Sequence, residues 1–230
     1  MSFAPRPTDK IVASLAASLA GIKDGATVLV GGFGAVGQPD PLVEGLIEQG
    51  ARDLTVVANN AGAGLVGLAK LMAAGRVRKI ICSFPRSAGS TVFEELYRAG
   101  KIELEIVPQG TLAERMRAAG AGIPAFFTPT AAGTRLAAGK ELRVFDGRPH
   151  ILETALHGDV ALIEGWHGDR WGNLTYRESG RNFNPVMAMA ARLTIAQVHR
   201  VVPLGDIPPE NVHTPGIFVD RIVEFPRDEA

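Results

Sequence analysis

The residues of this sequence best suited to chemistry are amides and glycines, and their spacing is what first draws them together. A β-branched and aliphatic run at 27–30 ends abruptly in Gly31-Gly32-Phe33-Gly34-Ala35-Val36-Gly37. Glycines after a strand let the backbone approach another group closely or adopt positive φ. Such a loop can present its N–H groups to an anion or a carbonyl, or it can simply turn. The next apolar run, LTVVANN, ends in Asn59 and Asn60, paired amides suited to holding a carboxylate or a carbonyl. Gln109 opens the segment QGTLAERMRAAGAGIPAFFTPT just past the fourth such run, 102–107. Arg181 and Asn182, in GRNFNP (180–185), could meet a carboxylate, although a structural or interface role is the simpler reading of that turn.

The loop at 32–37 also satisfies G-x-G-x-x-G, so a nicotinamide dinucleotide is an alternative ligand. Two details count against it. In that fingerprint the third glycine lies inside the helix, whereas Pro39 and Pro41 delay the helix here. The second strand should also end in an acidic residue for the ribose hydroxyl, and it ends in Asn59 and Asn60. No G-K-[ST] phosphate loop occurs, and His150, His157, His167, His199 and His213 have no metal-ligand spacing. Cys82 is the single cysteine, which rules out a disulfide framework or a paired-cysteine site and points to a reducing, cytoplasmic compartment.

The elements that must position these residues follow from pattern. Asp40 and Pro41 read as cap and first residue of a helix after the glycine loop. Strand 54–58, helix about 64–74, strand 79–82, helix about 91–99, strand 102–107 and helix about 111–119 continue the alternation of parallel βαβ units. A helix is also expected over 11–19 from its apolar spacing. After Gly120 the pattern changes. Runs at 142–145 and 150–153 flank an Asp146-Gly147 turn, a hairpin signal. Strands at 160–163, 174–177, 194–202 and 216–223 and a short helix at 184–192 complete the chain. The expected fold is a single α/β domain over 1–230: an open, mostly parallel sheet with helices on both faces and an antiparallel-leaning C-terminal portion. In such sheets ligands bind beyond the carboxyl ends of the strands, where Gly31, Asn59 and Gln109 would sit.

Composition narrows the classes of function. Lys plus Arg and Asp plus Glu both number 24 among 230 residues, so the formal net charge is zero and the basic excess of a nucleic-acid binder is missing. With 46% hydrophobic and 21% charged residues the chain belongs with globular proteins, not disordered ones. The start, MSFAPRPTDK, does not read as a leader, and no stretch approaches the roughly 20 apolar residues of a membrane helix. Glycine is in excess, at 27 residues.

DGATVLVGGFGAVGQP, ANNAG, PQGTLAERMRAAGAGIPAFFTPT, GDRWGNLTYRESGRNFNP and HTPGIFVDRIV, in this order, resemble the A subunit of the family I CoA transferases over nearly the whole chain. KIICSFPR and FEELYRAGKIELEIVPQG are most similar to members that use 3-oxoadipate, with enzymes using acetoacetate as near relatives. The resemblance implies transfer of CoA from succinyl-CoA to a 3-oxo acid through a glutamyl-CoA thioester, with the thioester as substrate and no tightly bound cofactor. The nucleophilic Glu belongs to an S-E-N-G segment of a B subunit. No such segment occurs here, so a partner chain must supply it. Carried onto matching positions, the resemblance makes 31–37 the CoA-binding loop. Asn59 and Asn60 then orient the acyl group, Gln109 contacts the thioester, and 120–125 forms a wall near the acceptor. The chain departs from the family pattern at Ser179-Gly180, before Arg181, and in having Gln197 and His199 where acidic residues are common.

Overall fold

The computed structural model describes residues 8–86 and 89–226. At its centre lies β1 (Thr27–Val30), whose TVLV run is buried on both faces, as a strand covered by helices on each side must be. It pairs in parallel with β2 (Leu54–Asn60) on one side and β8 (Gly158–Gly168) on the other. β3 (Val77–Phe84) and β4 (Glu103–Ile106) extend the β2 side, and β9 (Ala191–Val201) and β10 (Arg221–Glu224) extend the β8 side. The seven-stranded order is β10-β9-β8-β1-β2-β3-β4, and every pairing in it is parallel.

Strand periodicity divides the apolar residues between two cores. Val28, Val30, Val56, Ala58, Ile80 and Leu162 pack on the face covered by α2 (Asp40–Gln49), α3 (Gly67–Ala73) and α4 (Val92–Arg98). Leu29, Val57, Ile81, Ala161 and Ile163 pack on the opposite face, under α5 (Gln109–Gly120) and α6 (Asn184–Ala190). Among the described residues no helix is long and apolar enough to cross a membrane.

The hairpin expected at 142–153 forms. It belongs to a separate antiparallel sheet in the order β5-β7-β6, formed by β5 (Ala125–Thr128), β6 (Leu142–Phe145) and β7 (Arg148–Thr154), with Asp146 and Gly147 at the β6–β7 turn, both at positive φ. The last three strands run parallel because the chain between them is long enough for crossovers, α6 lying between β8 and β9. The expected strand at 174–177 makes only isolated bridges, from Leu174 to Gly168 and Thr214. The helix expected over 11–19 shrinks to α1 (Leu15–Ser18), capped by Ser14 Oγ, because the preceding backbone completes the sheet edge. Val12 N donates to Ile222 O and Ile222 N to Lys10 O, giving β10 the partners it would otherwise lack. Asp40 is the first residue of α2, whose N-cap is Pro39, and Gln197 Oε1 accepts from Leu42 N in its first turn (3.4 Å).

The loop after β1 is a miniature hairpin. Phe33 N donates to Val36 O (2.9 Å) and Val36 N to Phe33 O (3.1 Å), with Gly34 at φ +62° at the first tip position, where glycine suits a two-residue turn. Two asparagines hold it from below. Asn182 Oδ1 accepts from Gly32 N (3.1 Å), and its Nδ2 donates to Val36 O (3.1 Å) and Ser179 O (2.8 Å). Asn184, fully buried, accepts from Glu164 N of β8 (3.0 Å) and donates to Gly37 O (3.0 Å) and Gly180 O (2.8 Å). One side-chain amide thus ties together β8, the glycine loop and the 180 turn. Glycine is needed for this approach: a Cβ on Gly31 would fall on Asn184 Oδ1, and one on Gly37 would sit 2.5 Å from Gly180 O.

Removing the Asn184 amide strands a buried N–H and two carbonyls, so Asn184→Ala is expected to cost about 2–4 kcal/mol in equilibrium urea unfolding. A loss below about 1 kcal/mol would show that the loop is held by other means. Cys82 provides a check on the packing of β3. It is fully buried, and desolvation pushes its thiol up to about 12. It should therefore resist a disulfide reagent at pH 8 and react only after unfolding, whereas stoichiometric labelling of the folded protein would contradict the packing.

Candidate active site

β1 is where the strand order reverses: the chain runs outward from β1 to β4, then returns to the other side of β1 as β8. The crevice beyond the carboxyl ends of β1, β2 and β8 is the position where open α/β sheets take ligands. The glycine hairpin stands in this crevice and separates two cavities.

The larger cavity, about 630 Å³, lies on the β2 side and is lined by the hairpin tip, Asn59, Asn60, Ser83, Phe84, Arg86 and Gln109. It brings together the three sets of residues singled out from the sequence. Asn59 and Asn60 are the last residues of β2 and both are buried. Asn59 Oδ1 accepts from Ser83 Oγ on β3 (2.6 Å). Asn60 Oδ1 accepts from Gly62 N (2.8 Å), an Asx turn in which the N–H donor sets which way the amide faces. With both oxygens engaged, neither Nδ2 has a hydrogen-bond partner among the described residues, and these donors remain for the cleft. Gln109 is the first residue of α5, two positions earlier than the sequence pattern suggested, and its exposed side chain makes no hydrogen bond among the described residues. The first N–H groups of α5 have no partner within the helix, and its dipole adds positive potential at this end.

The loop itself is less available than its glycines suggested. The amides of Gly31, Gly32, Phe33 and Val36 are engaged with Leu162, Asn182, Val36 and Phe33 respectively, leaving Gly34, Ala35 and Gly37 N–H without partners among the described residues. Phe33 and Phe84 expose their rings at the rim (48% and 61%). Three sequence candidates, Arg181, Asn182 and the segment 120–125, are not among the residues lining this cleft. Asn182 is consumed in holding the loop, and 120–125 lies at the far end of α5, where Gly120 packs on Met189.

The smaller cavity, about 300 Å³, lies on the β8 side, between Ala35-Val36-Gly37, Glu164, Trp166, Arg177 and His199. Glu164 Oε2 accepts from Gln197 Nε2 (2.9 Å), and His199 Nε2 lies 3.4 Å from Glu164 Oε1. The Arg177 guanidinium rests over the Trp166 ring, 4.9 Å from its centroid. Sequence reading passed over Glu164 because IEGW reads as ordinary buried strand. The only available signal was the pair of polar positions, Gln197 and His199, on the neighbouring strand.

Among the described residues, no carboxylate, histidine, lysine or thiol lines the larger cleft, and the one hydroxyl, on Ser83, is engaged with Asn59. Its chemistry is therefore to bind, orient and donate hydrogen bonds to an acyl or carboxylate oxygen.

Comparison with known proteins shows the family. The sequence model of the family described as Coenzyme A transferase matches residues 12–225. Over 215 residues the chain is 61% identical to the A subunit of the 3-oxoadipate CoA-transferase of Pseudomonas putida, covering 94% of this chain and 93% of the relative. It is 52% identical to the A subunit of the succinyl-CoA:3-ketoacid coenzyme A transferase of Xanthomonas campestris pv. campestris, covering 93% and 88%. The fold superposes on an acyl-CoA transferase of Escherichia coli O157:H7, solved as a thioester complex with CoA, with TM-score 0.83 at 22% identity. That match covers 96% of this chain and 51% of the other, so the chain spans about half of that relative. Glutaconate coenzyme A-transferase of Acidaminococcus fermentans gives TM-score 0.82 at 22% identity, covering 94% and 76%. With a family match over nearly its full length and close relatives covered almost end to end, the chain belongs to the coenzyme A transferase family.

Proposed function

We propose that this chain is one half, the A subunit, of a two-chain CoA transferase that moves CoA from succinyl-CoA to a 3-oxo acid, with 3-oxoadipate as the acceptor. The observation that carries the reading is a cleft at the topological switch point that offers neutral amide donors and no nucleophile. In the first half-reaction a glutamate carboxylate of the B subunit exchanges with succinyl-CoA to give a glutamyl-CoA thioester and succinate. In the second, the acceptor carboxylate takes the CoA and restores the glutamate. Asn59, Asn60 and Gln109 hold the acyl oxygens on which negative charge develops, and the hairpin at 31–37 lies along the thioester. Preorganised amides of this kind stabilise developing charge at no cost in reorganisation. Each of the two sequence relatives is named as one subunit of its enzyme, which supports a second chain. So do the exposed apolar side chains of Phe33 and Phe84 at the cleft and of Leu65 and Val66 in the segment after β2, which are of the kind that protein contacts cover.

Acetoacetate is the alternative acceptor, and relatives named for 3-ketoacids keep it in view. The nicotinamide alternative has no support: β2 ends in Asn59 and Asn60, and the hairpin carries no helix start at its third glycine.

Two expectations follow from a half-site without a nucleophile. Incubated alone with succinyl-CoA, the chain should form no covalent CoA adduct by intact mass. Mixed with its partner it should yield an adduct on the partner's glutamate, and turnover by the isolated chain would overturn the proposal. In the reconstituted enzyme, Gln109→Ala should lower kcat by about 10- to 100-fold while donor KM changes little, the signature of a contact strengthened in the transition state. A rise in KM with unchanged kcat would remove Gln109 from this role.

A further inference from the structure

Of the ten described residues that line the larger cleft, Arg86 alone carries a charge. It follows β3 at the rim, with Phe33 and Phe84 lining the same cleft beside the Asn59, Asn60 and Gln109 amides. Glu94 on α4 holds the guanidinium from behind, through Nε at 3.3 Å from Oε1. Its two terminal nitrogens make no hydrogen bond among the described residues. The cleft therefore presents amide donors, apolar ring faces and one cation with its fork open.

A ligand matching that lining has an acyl oxygen for the amides, methylenes for the rings and an anionic group for the guanidinium. We infer that Arg86 is a specificity-determining residue that pairs with the far carboxylate of a dicarboxylic acyl chain. The inference rests on the CoA-transfer reading and deepens it. Succinyl and 3-oxoadipyl groups each carry a second carboxylate, and acetoacetyl carries none. An ionised carboxylate brought into a cleft of amides and aromatic rings needs a counter-charge to offset its lost hydration. A planar guanidinium with both terminal nitrogens open meets a carboxylate in bidentate fashion, which an ammonium cannot do. Glu94 takes only Nε, so it fixes the direction of the fork without occupying it.

The test uses the reconstituted two-chain enzyme charged with acetoacetyl-CoA, so that the donor has no second carboxylate. After rapid desalting, discharge of the enzyme-bound CoA thioester is followed with 3-oxoadipate, succinate or acetoacetate as acceptor. Arg86→Gln is expected to slow discharge by the two dicarboxylates about 10- to 100-fold at sub-saturating concentration, while acetoacetate changes less than about 2-fold. Arg86→Lys should fall between the two. Equal loss with all three acceptors, or no loss with the dicarboxylates, would overturn the assignment. A wild-type enzyme charged with CoA by neither acetoacetyl-CoA nor succinyl-CoA would instead overturn the transferase reading, and this inference with it. Because Arg86 is 77% exposed, the variants are expected to keep the wild-type unfolding midpoint.

Discussion

The site depends on one buried side-chain amide. Asn184, at the start of α6, bonds to the backbone of β8, the glycine loop and the 180 turn together. Each of those backbone groups would be unsatisfied without it, and a buried unsatisfied N–H or carbonyl costs about 1–3 kcal/mol. The contact requires Gly31 and Gly37, which leave room for the asparagine and the 180 turn. The glycine loop is thus shaped first by the protein's own amides, and only its tip remains for a ligand.

That division explains how the crevice is used. A hairpin pinned at its base projects into the switch point and separates an amide-lined cleft on the β2 side from a more polar cavity holding Glu164 and His199 on the β8 side. Carboxylate chemistry is kept away from the cleft where the acyl group is proposed to lie. A partner glutamate entering it would meet amide donors and a helix N-terminus, with no competing acid or base among the lining residues. The one cation, Arg86, stands at the rim, where it can select among acyl chains.

Much of this was legible in the residues. The TVLV run breaking into glycines, the paired asparagines ending the next strand and Gln109 after the fourth all come to one cleft, because parallel strands present their carboxyl ends on the same edge. What stayed hidden involved distant partners. Residues 11 and 12 have helical spacing, yet the open edge of β10 takes their backbone, a demand set some 200 residues later in the chain. The hairpin at Asp146-Gly147 was legible, but that the last three strands return to the parallel sheet was not, since it rests on loop length and on α6 as a crossover. The role of Asn182 and Asn184 could not be read from GRNFNP alone, since their partners lie in the glycine loop and β8. Glu164 was concealed in an apolar strand, and its burial is tolerated through Gln197.

The central claim is that this chain supplies neutral hydrogen-bond donors and its partner supplies the covalent chemistry. The most direct measurement is a crystal structure of the two-chain enzyme trapped as its CoA thioester. The account predicts the thioester on a glutamate of the partner, with Asn60 Nδ2 or the Gln109 side chain about 2.7–3.2 Å from its carbonyl oxygen. A thioester on a residue of this chain, or a carbonyl oxygen facing the Glu164 cavity instead of the Asn60 cleft, would contradict it.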